Sequence, residues 1–248
     1  MGIYNSEGIV LHKIPFSNTS LIVSYLTKSF GKIKLVCRGV RGSKKQPGVH
    51  FEPGSLVELE WYKKDNSDLG TLRNSDTLRI FRRIWEDYDS MQVALRMIKT
   101  IDRLFSSNEA DNINYEILYK ALQSIEDGAV PGNVECTFLL GEIVALGFTP
   151  TLNFCEECTY EQKKNKVLLN IENGELRCPN CKLSTSHSVK LSQGSILTIL
   201  QTFRSDINRI HDIKIIAQLQ EEIIRLGYYF LSYHCGMNLN VISNKRYF

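Results

Sequence analysis

Long apolar runs are missing from this sequence of 248 residues. No stretch approaches the roughly 18 apolar residues of a transmembrane helix, and the first residues lack the basic and apolar regions of a secretory signal. Cysteines are few, and the seven present form an odd number, which does not fit a secreted disulfide framework. We therefore expect a protein of the reducing cytoplasm with no membrane partner.

Acidic residues are missing between Glu7 and Glu52, a segment that contains eight Lys or Arg residues. Residues 1–80 carry twelve Lys or Arg against seven Asp or Glu, whereas the remaining residues carry eighteen against twenty. Because the net charge of the whole chain is only +3, this asymmetry is more informative than the total. It predicts an N-terminal domain that faces a polyanion.

Short segments rich in Val, Ile, Leu, Tyr and Thr alternate with turn residues in the first 80 residues, which predicts β-strands. The expected strands are residues 9–14, 20–27, 31–39, 55–63 and 69–81. Lys32 and Lys34 alternate with apolar Ile33 and Leu35, so both lysines are expected on one face of a strand. Five short strands without clear helices between them favour a small closed barrel, and an OB-fold over residues 1–80 is the simplest choice.

From about residue 86 the apolar positions adopt the 3.6-residue period of helices. Three helices are expected before residue 150, and two follow residue 187, the last of them long and starting near Ile213. The polar segment between these two groups contains an Asn173-Gly174 turn. We predict an α+β multidomain fold with four regions, namely an OB-fold at 1–80, a helical body at 81–150 and 188–248, and an insert at 151–187.

Four cysteines of the insert, Cys155, Cys158, Cys178 and Cys181, form the pattern C-x2-C-x19-C-x2-C. Two residues between cysteines let the chain turn so that both thiolates reach one cation, and two such turns supply a tetrahedral zinc site. Four sulfurs leave no open position for water or substrate, so the predicted Zn²⁺ is structural and the insert is a zinc ribbon. The segments on either side of Asn173-Gly174 are expected to form a hairpin.

Other interpretations of these cysteines remain open. One is a set of thiols without metal, and another is a redox dithiol, which usually needs one CxxC motif at a helix start. Zinc deaminases combine H-x-E with P-C-x-x-C; residues 50–52 match the first half, but Phe154 and Arg177 occupy the proline position. His187 is an additional candidate ligand, although a surface position is favoured because four cysteines complete the shell.

The segment CRGVRGSKK, residues 37–45, contains four cations and no acid, namely Arg38, Arg41, Lys44 and Lys45. Its two glycines permit tight turns, and Arg and Lys suit phosphate oxygens. The spacing is not that of a P-loop. A solvated loop is the alternative, but a place on an OB-fold favours oligonucleotide binding.

We extend this candidate DNA-binding set to Lys32 and Lys34 on physical grounds, because they share a strand face that leads into the loop. Tyr25, Trp61 and Tyr62 are candidates for stacking on bases. Packing inside or at the rim of the barrel is the favoured alternative for these three rings, because aromatic residues fill small barrels.

Three N-terminal segments resemble the opening of the bacterial recombination mediator family RecO. That family typically has a first strand entering a turn, a strand ending in Thr-x-x-x-Gly, and an Ala/Cys-Arg-Gly-x-Arg-x-x-Lys segment. These correspond to Gly8–Ile14, Thr27–Gly31 and Cys37–Lys45. LGFTPTLNFCEEC and RLGYYFLSYHCG resemble the family's approach to its four-cysteine element and its closing helix, so the resemblance spans nearly the whole chain.

The resemblance implies an OB-fold, a helical body and an inserted zinc ribbon in a nucleoid-associated protein that is not an enzyme. It implies binding of single- and double-stranded DNA and annealing of complementary strands. It also implies partnership with RecR and with the C-terminal tail of the single-strand-binding protein, and through them a role in loading RecA. An RNA-binding or transcription accessory protein with a zinc ribbon is the alternative, and a zinc hydrolase would require an open metal position.

Overall fold

Five strands of the N-terminal region form one sheet that closes into a barrel, as the sequence predicts. The computed structural model describes residues 2–40, 51–64, 67–107, 111–148, 167–178 and 187–237. The barrel strands are β1 (Gly2–Pro15), β2 (Leu21–Thr27), β3 (Gly31–Cys37), β4 (Leu56–Lys63) and β5 (Leu69–Arg79). Their order is β1-β2-β3-β5-β4. The sheet closes because β1 pairs antiparallel with both β2 and β4, while β3 and β5 pair in parallel.

Alternation along the strands separates the barrel interior from its outer face. The interior core includes Val10, Val23, Tyr25, Ile33, Leu35, Leu59 and Trp61, all buried. On the other side of the same strands, the paired residues Ile9 and Leu26 are also fully buried. The outer face of β1 and β2 is therefore covered at this level.

Three helices follow the barrel in the chain, namely α1 (Arg82–Glu86), α2 (Tyr88–Leu104) and α3 (Asn112–Glu126). The Asp87 carboxylate begins α2 by accepting a hydrogen bond of 2.8 Å from the backbone N–H of Ser90, and this bond lowers the pKa of Asp87. Helix α2 contacts β1 and α3 contacts β2. These helices therefore contact the two strands that carry Ile9 and Leu26.

The C-terminal half contains the helices α4 (Pro131–Ala145), α5 (Gln193–Arg204) and α6 (Ala217–Cys235), with a short 3₁₀ helix at Ile207–Asp212. The last helix starts later than predicted, because Ile216 has an extended backbone at its N-cap position and Ile213 precedes it. Two acids of α4, Glu135 and Glu142, are fully buried. The Tyr228 hydroxyl of α6 donates a 2.6 Å hydrogen bond to Glu135 Oε1.

A small antiparallel sheet lies in the same half, with the order β7-β6-β8. Its strands are β6 (Val167–Asn170), β7 (Leu176–Arg177) and β8 (Ser188–Leu191). Leu168 pairs with Arg177 and Leu169 with Leu176, so the predicted hairpin across Asn173-Gly174 is confirmed. Gly174 has a φ of 72°, a value that favours glycine in the turn.

The chain divides into two compact units, Met1–Pro131 and Gly132–Phe248. The first unit extends beyond the expected boundary at residue 80, because α1, α2 and α3 group with the barrel. In the part of the chain that the structure describes, no helix is long and apolar enough to cross a membrane.

Candidate nucleic-acid interface

Strand β3 carries the first two predicted cations on its outer face. Ile33 and Leu35 belong to the barrel core, so Lys32 and Lys34 point outward as the alternation predicts. Lys34 is exposed, whereas Lys32 is buried. The two lysines therefore share a face but not an environment.

The Lys32 ammonium is held by the last turn of α2. Its Nζ lies 2.8 Å from Asp102 Oδ1, and the Lys32 side chain is only 6% exposed. The same Nζ donates to the carbonyl oxygen of Phe105 at 3.0 Å and to that of Asp102. A helix C-terminus stabilises a cation in this way. This environment differs from the one expected of a DNA-contacting lysine, so we leave Lys32 out of the interface.

Lys34 lies in a row that crosses three strands. Cross-strand pairing aligns Ser24 of β2 with His12 of β1 and with Lys34 of β3. His12 and Lys34 are both exposed. Ser24 in the middle of the row is buried, whereas His12 and Lys34 on either side of it present an imidazole and an ammonium group to solvent.

Arg38 directly follows β3 and is exposed. Gly39, the next residue, has a φ of 70° and open space where a Cβ would stand, so the chain turns immediately after the arginine. Arg41, Lys44 and Lys45 lie outside the described residues.

Most other cations of the barrel have acidic partners. Lys13 Nζ lies 2.5 Å from Glu52, and Arg73 Nη1 lies 2.6 Å from Glu60. Within the described ranges, the side chains of Lys34 and Arg38 form no ion pair. Lys34 on β3 and Arg38 directly after this strand are therefore two cations whose charge is not neutralised by a described neighbour.

The aromatic candidates divide according to burial. Tyr25 and Trp61 are buried inside the barrel core, which fits the packing alternative, whereas Tyr62 is partly exposed. The Tyr25 hydroxyl lies 3.7 Å from the Cys37 sulfur. Burial raises the pKa of both groups, that of the Cys37 thiol to about 12. Neither Tyr25 nor Trp61 can meet a base from outside.

One of the four predicted zinc ligands lies in the described part of the insert. Cys178 directly follows β7 and is 2% exposed, so the hairpin carries this sulfur at its end. Cys155, Cys158 and Cys181 lie outside the described residues. The position of Cys178 after a hairpin strand fits a ribbon ligand.

His187, the additional candidate ligand, lies in the turn directly before β8. Its φ is 65°, unusual for a residue with a side chain, and its backbone oxygen accepts a hydrogen bond from Ile171 N–H at 2.9 Å. The ring Nδ1 lies 3.3 Å from the Tyr229 hydroxyl. This imidazole is therefore engaged with α6.

Two family models together account for nearly the whole chain. The model of the recombination protein O N-terminal region matches residues 1–81, and that of the C-terminal region matches residues 85–241. The chain belongs to the recombination protein O family. The first match covers the barrel with its basic strand, and the second covers the helices and the cysteine segment.

Curated relatives agree with this assignment, and each is named DNA repair protein RecO. The protein of Syntrophus aciditrophicus is 25% identical over 97% of this chain and 94% of its own length. That of Symbiobacterium thermophilum is 28% identical over 94% of this chain and 92% of its own. The Rubrobacter xylanophilus protein is 29% identical over 73% of each chain. Family membership therefore indicates a DNA repair protein.

Proposed function

We propose that this protein is a recombinational DNA repair mediator that binds single- and double-stranded DNA and anneals complementary strands without covalent chemistry. The observation that carries the proposal is the pair of exposed cations, Lys34 on the outer face of β3 and Arg38 directly after this strand, neither of which pairs with an acid among the described residues. The closed five-stranded barrel, which we take as an OB-fold, is an architecture that binds oligonucleotides. The relatives named as DNA repair proteins support DNA as the ligand.

Phosphate contacts would dominate the affinity. Lys34 and Arg38, continued by Arg41, Lys44 and Lys45, would neutralise about five phosphates of a single strand, which corresponds to a slope of about −3.5 for log K against log salt. Two DNA backbones repel each other, and a cationic surface lowers this repulsion when complementary strands meet. Annealing therefore needs only binding and release.

Partner proteins enter the proposal through the family resemblance. We propose that the protein acts at the nucleoid with RecR and with the C-terminal tail of the single-strand-binding protein, and so helps to load RecA. The barrel cations would hold DNA during this exchange.

Cys155, Cys158, Cys178 and Cys181 would hold one structural Zn²⁺ in the insert. The supporting observation is Cys178, buried at the end of the β6–β7 hairpin. A zinc ion with four thiolates would stabilise the fold of a segment too small to bury a core of its own. It would take no part in DNA chemistry.

Annealing of complementary oligonucleotides coated with single-strand-binding protein tests the proposal. The protein is expected to accelerate duplex formation, and an excess of salt should suppress the effect. No acceleration at low salt would refute it. RNA of equal length serves as the comparison, because a clear preference for RNA would instead support an RNA-binding protein that reads the 2′-hydroxyl.

A further inference from the structure

The tip of the β1–β2 hairpin exposes two apolar side chains. Phe16 is 57% exposed and Ile14 is 43% exposed. The turn is closed by hydrogen bonds of 3.0 Å from Phe16 N–H and 3.4 Å from Ser17 N–H to the Ser20 carbonyl oxygen. An aromatic ring is therefore presented to solvent from a turn that is itself hydrogen-bonded.

Strand register places this tip at the same end of the barrel as Arg38. Leu21 of β2 pairs with Pro15 on one side and with Cys37 on the other. Phe16 follows Pro15 and Arg38 follows Cys37, so each lies one residue beyond this row. Two strand spacings separate β1 from β3, which is about 10 Å. That distance lies within the reach of one bound nucleotide chain.

Apolar and basic rows alternate on the outer face of these three strands. Ile14, Ile22 and Val36 are aligned across β1, β2 and β3, next to the row that holds His12 and Lys34. Phe30, at the opposite end of the barrel, differs because its ring packs edge-on against Trp61 with centroids 5.2 Å apart. Among the rings of the described barrel, Phe16 combines high exposure with a nearby cation, Arg38, that pairs with no acid in the described part of the chain.

We infer that Phe16, supported by Ile14, forms a base-stacking position for single-stranded nucleic acid whose phosphates lie on Lys34 and Arg38. Aromatic rings contribute to single-strand binding by stacking on bases, whatever the base. The neighbouring cations favour a nucleic-acid strand over an apolar protein segment as the occupant. This inference rests on the proposed DNA-binding function and adds a ring that distinguishes single strands from duplexes.

Equilibrium binding of Phe16→Ala tests this position. For an oligothymidylate of about 16 nucleotides, we expect affinity to fall about tenfold. Duplex affinity should change by less than about twofold, because stacked bases cannot reach the ring. The salt slope should equal that of the wild type, since no phosphate contact is lost. Tyr88→Ala, which removes a 64% exposed ring from α2, is the matched control and should leave binding unchanged.

Two further comparisons separate stacking from other roles. Phe16→Trp should keep the single-strand affinity of the wild type. Phe16→Leu should bind as weakly as Phe16→Ala, because leucine keeps apolar area without an aromatic face. An abasic oligonucleotide should bind the wild type and Phe16→Ala equally. The inference would be overturned by unchanged single-strand affinity of Phe16→Ala, by wild-type affinity of Phe16→Leu, or by an equal loss of affinity for duplex DNA. Binding that depends on Arg38 would stand in each case. Absence of any binding by the wild type would refute the proposed function as well.

Discussion

Lys32 and Asp102 form an ion pair that joins β3 to the last turn of α2, with Nζ 2.8 Å from Oδ1. The backbone carbonyls of Asp102 and Phe105 complete the contacts of the ammonium. This lysine lies two residues from exposed Lys34 on the same face of the same strand. The role of a cation on this strand is thus set by what covers it.

Replacement of Lys32 with Met should destabilise the N-terminal unit and leave DNA binding intact. Loss of the ammonium leaves one carboxylate and two carbonyl oxygens without their partner. The expected cost is about 2–3 kcal/mol in the free energy of unfolding. The cost falls below that of a fully buried pair because the Asp102 side chain is 22% exposed. Urea unfolding measures the loss.

Lys34→Met is the matched control on the same strand. It should leave the free energy of unfolding nearly unchanged and reduce the salt slope of single-strand binding by about 0.7, the value for one phosphate contact. If Lys32→Met reduced the slope and Lys34→Met did not, our assignment of the two lysines would be reversed.

The double variant Arg38→Ala/Arg41→Ala should weaken DNA binding for all sequences. Two lost phosphate contacts reduce the single-strand salt slope by about 1.4, while the melting temperature is expected to stay close to that of the wild type. Fluorescence anisotropy at several salt concentrations measures both affinity and slope.

Lys99→Ala/Arg103→Ala removes the same charge from exposed positions of α2 and serves as the control for net charge. Long-range steering alone would make both double variants equally weak. Wild-type affinity in Arg38→Ala/Arg41→Ala would contradict the interface.

The strands could be predicted from sequence because their signals are local. Alternation at Ile33 and Leu35 fixes which face is buried, and turn residues mark the ends, as at Asn173-Gly174. Closure of the sheet by pairing of β1 with β4 has no such local signal. Five short strands predict it only because a closed barrel is the simplest arrangement for them. The helix periods likewise predict α2, α3 and α4 closely.

The environment of each outward residue could not be predicted, because it depends on partners distant in sequence. Asp102 lies 70 residues from Lys32, and Tyr228 lies 93 residues from Glu135. A usable signal existed for Glu135, since a carboxylate within an otherwise apolar helix must find a donor when buried. No comparable local signal distinguishes Lys32 from Lys34.

Cys178→Ser should lower the zinc content of the purified protein from about one ion per chain to nearly none, if four thiolates hold the metal. The insert should become more sensitive to proteolysis, because the metal supplies its folding energy. Metal analysis by emission spectroscopy and limited trypsin digestion provide the two measurements.

Cys136→Ser is a suitable comparison, because Cys136 is a buried thiol of α4 whose sulfur donates to the Gln220 carbonyl oxygen at 3.5 Å. A hydroxyl can keep that hydrogen bond, so zinc content should match the wild type. A stable Cys178→Ser protein with a full complement of zinc would remove Cys178 from the ligand set.

Stability should fall as pH rises from about 8 to about 10, and the Cys37 thiol should account for part of the fall. Burial raises its pKa from 9.0 to about 12, so above pH 9 the unfolded chain loses a proton that the folded chain keeps. The folded state then binds more protons than the unfolded state, so the free energy of unfolding decreases as pH rises. The expected loss from this thiol is about 1 kcal/mol. Cys37→Ala should show a smaller fall over this range by that amount in urea unfolding. Val23→Ala, which also truncates a buried side chain of the barrel core, should keep the pH dependence of the wild-type stability. An unchanged pH dependence in Cys37→Ala would show that the thiol ionises in the folded barrel as readily as in water.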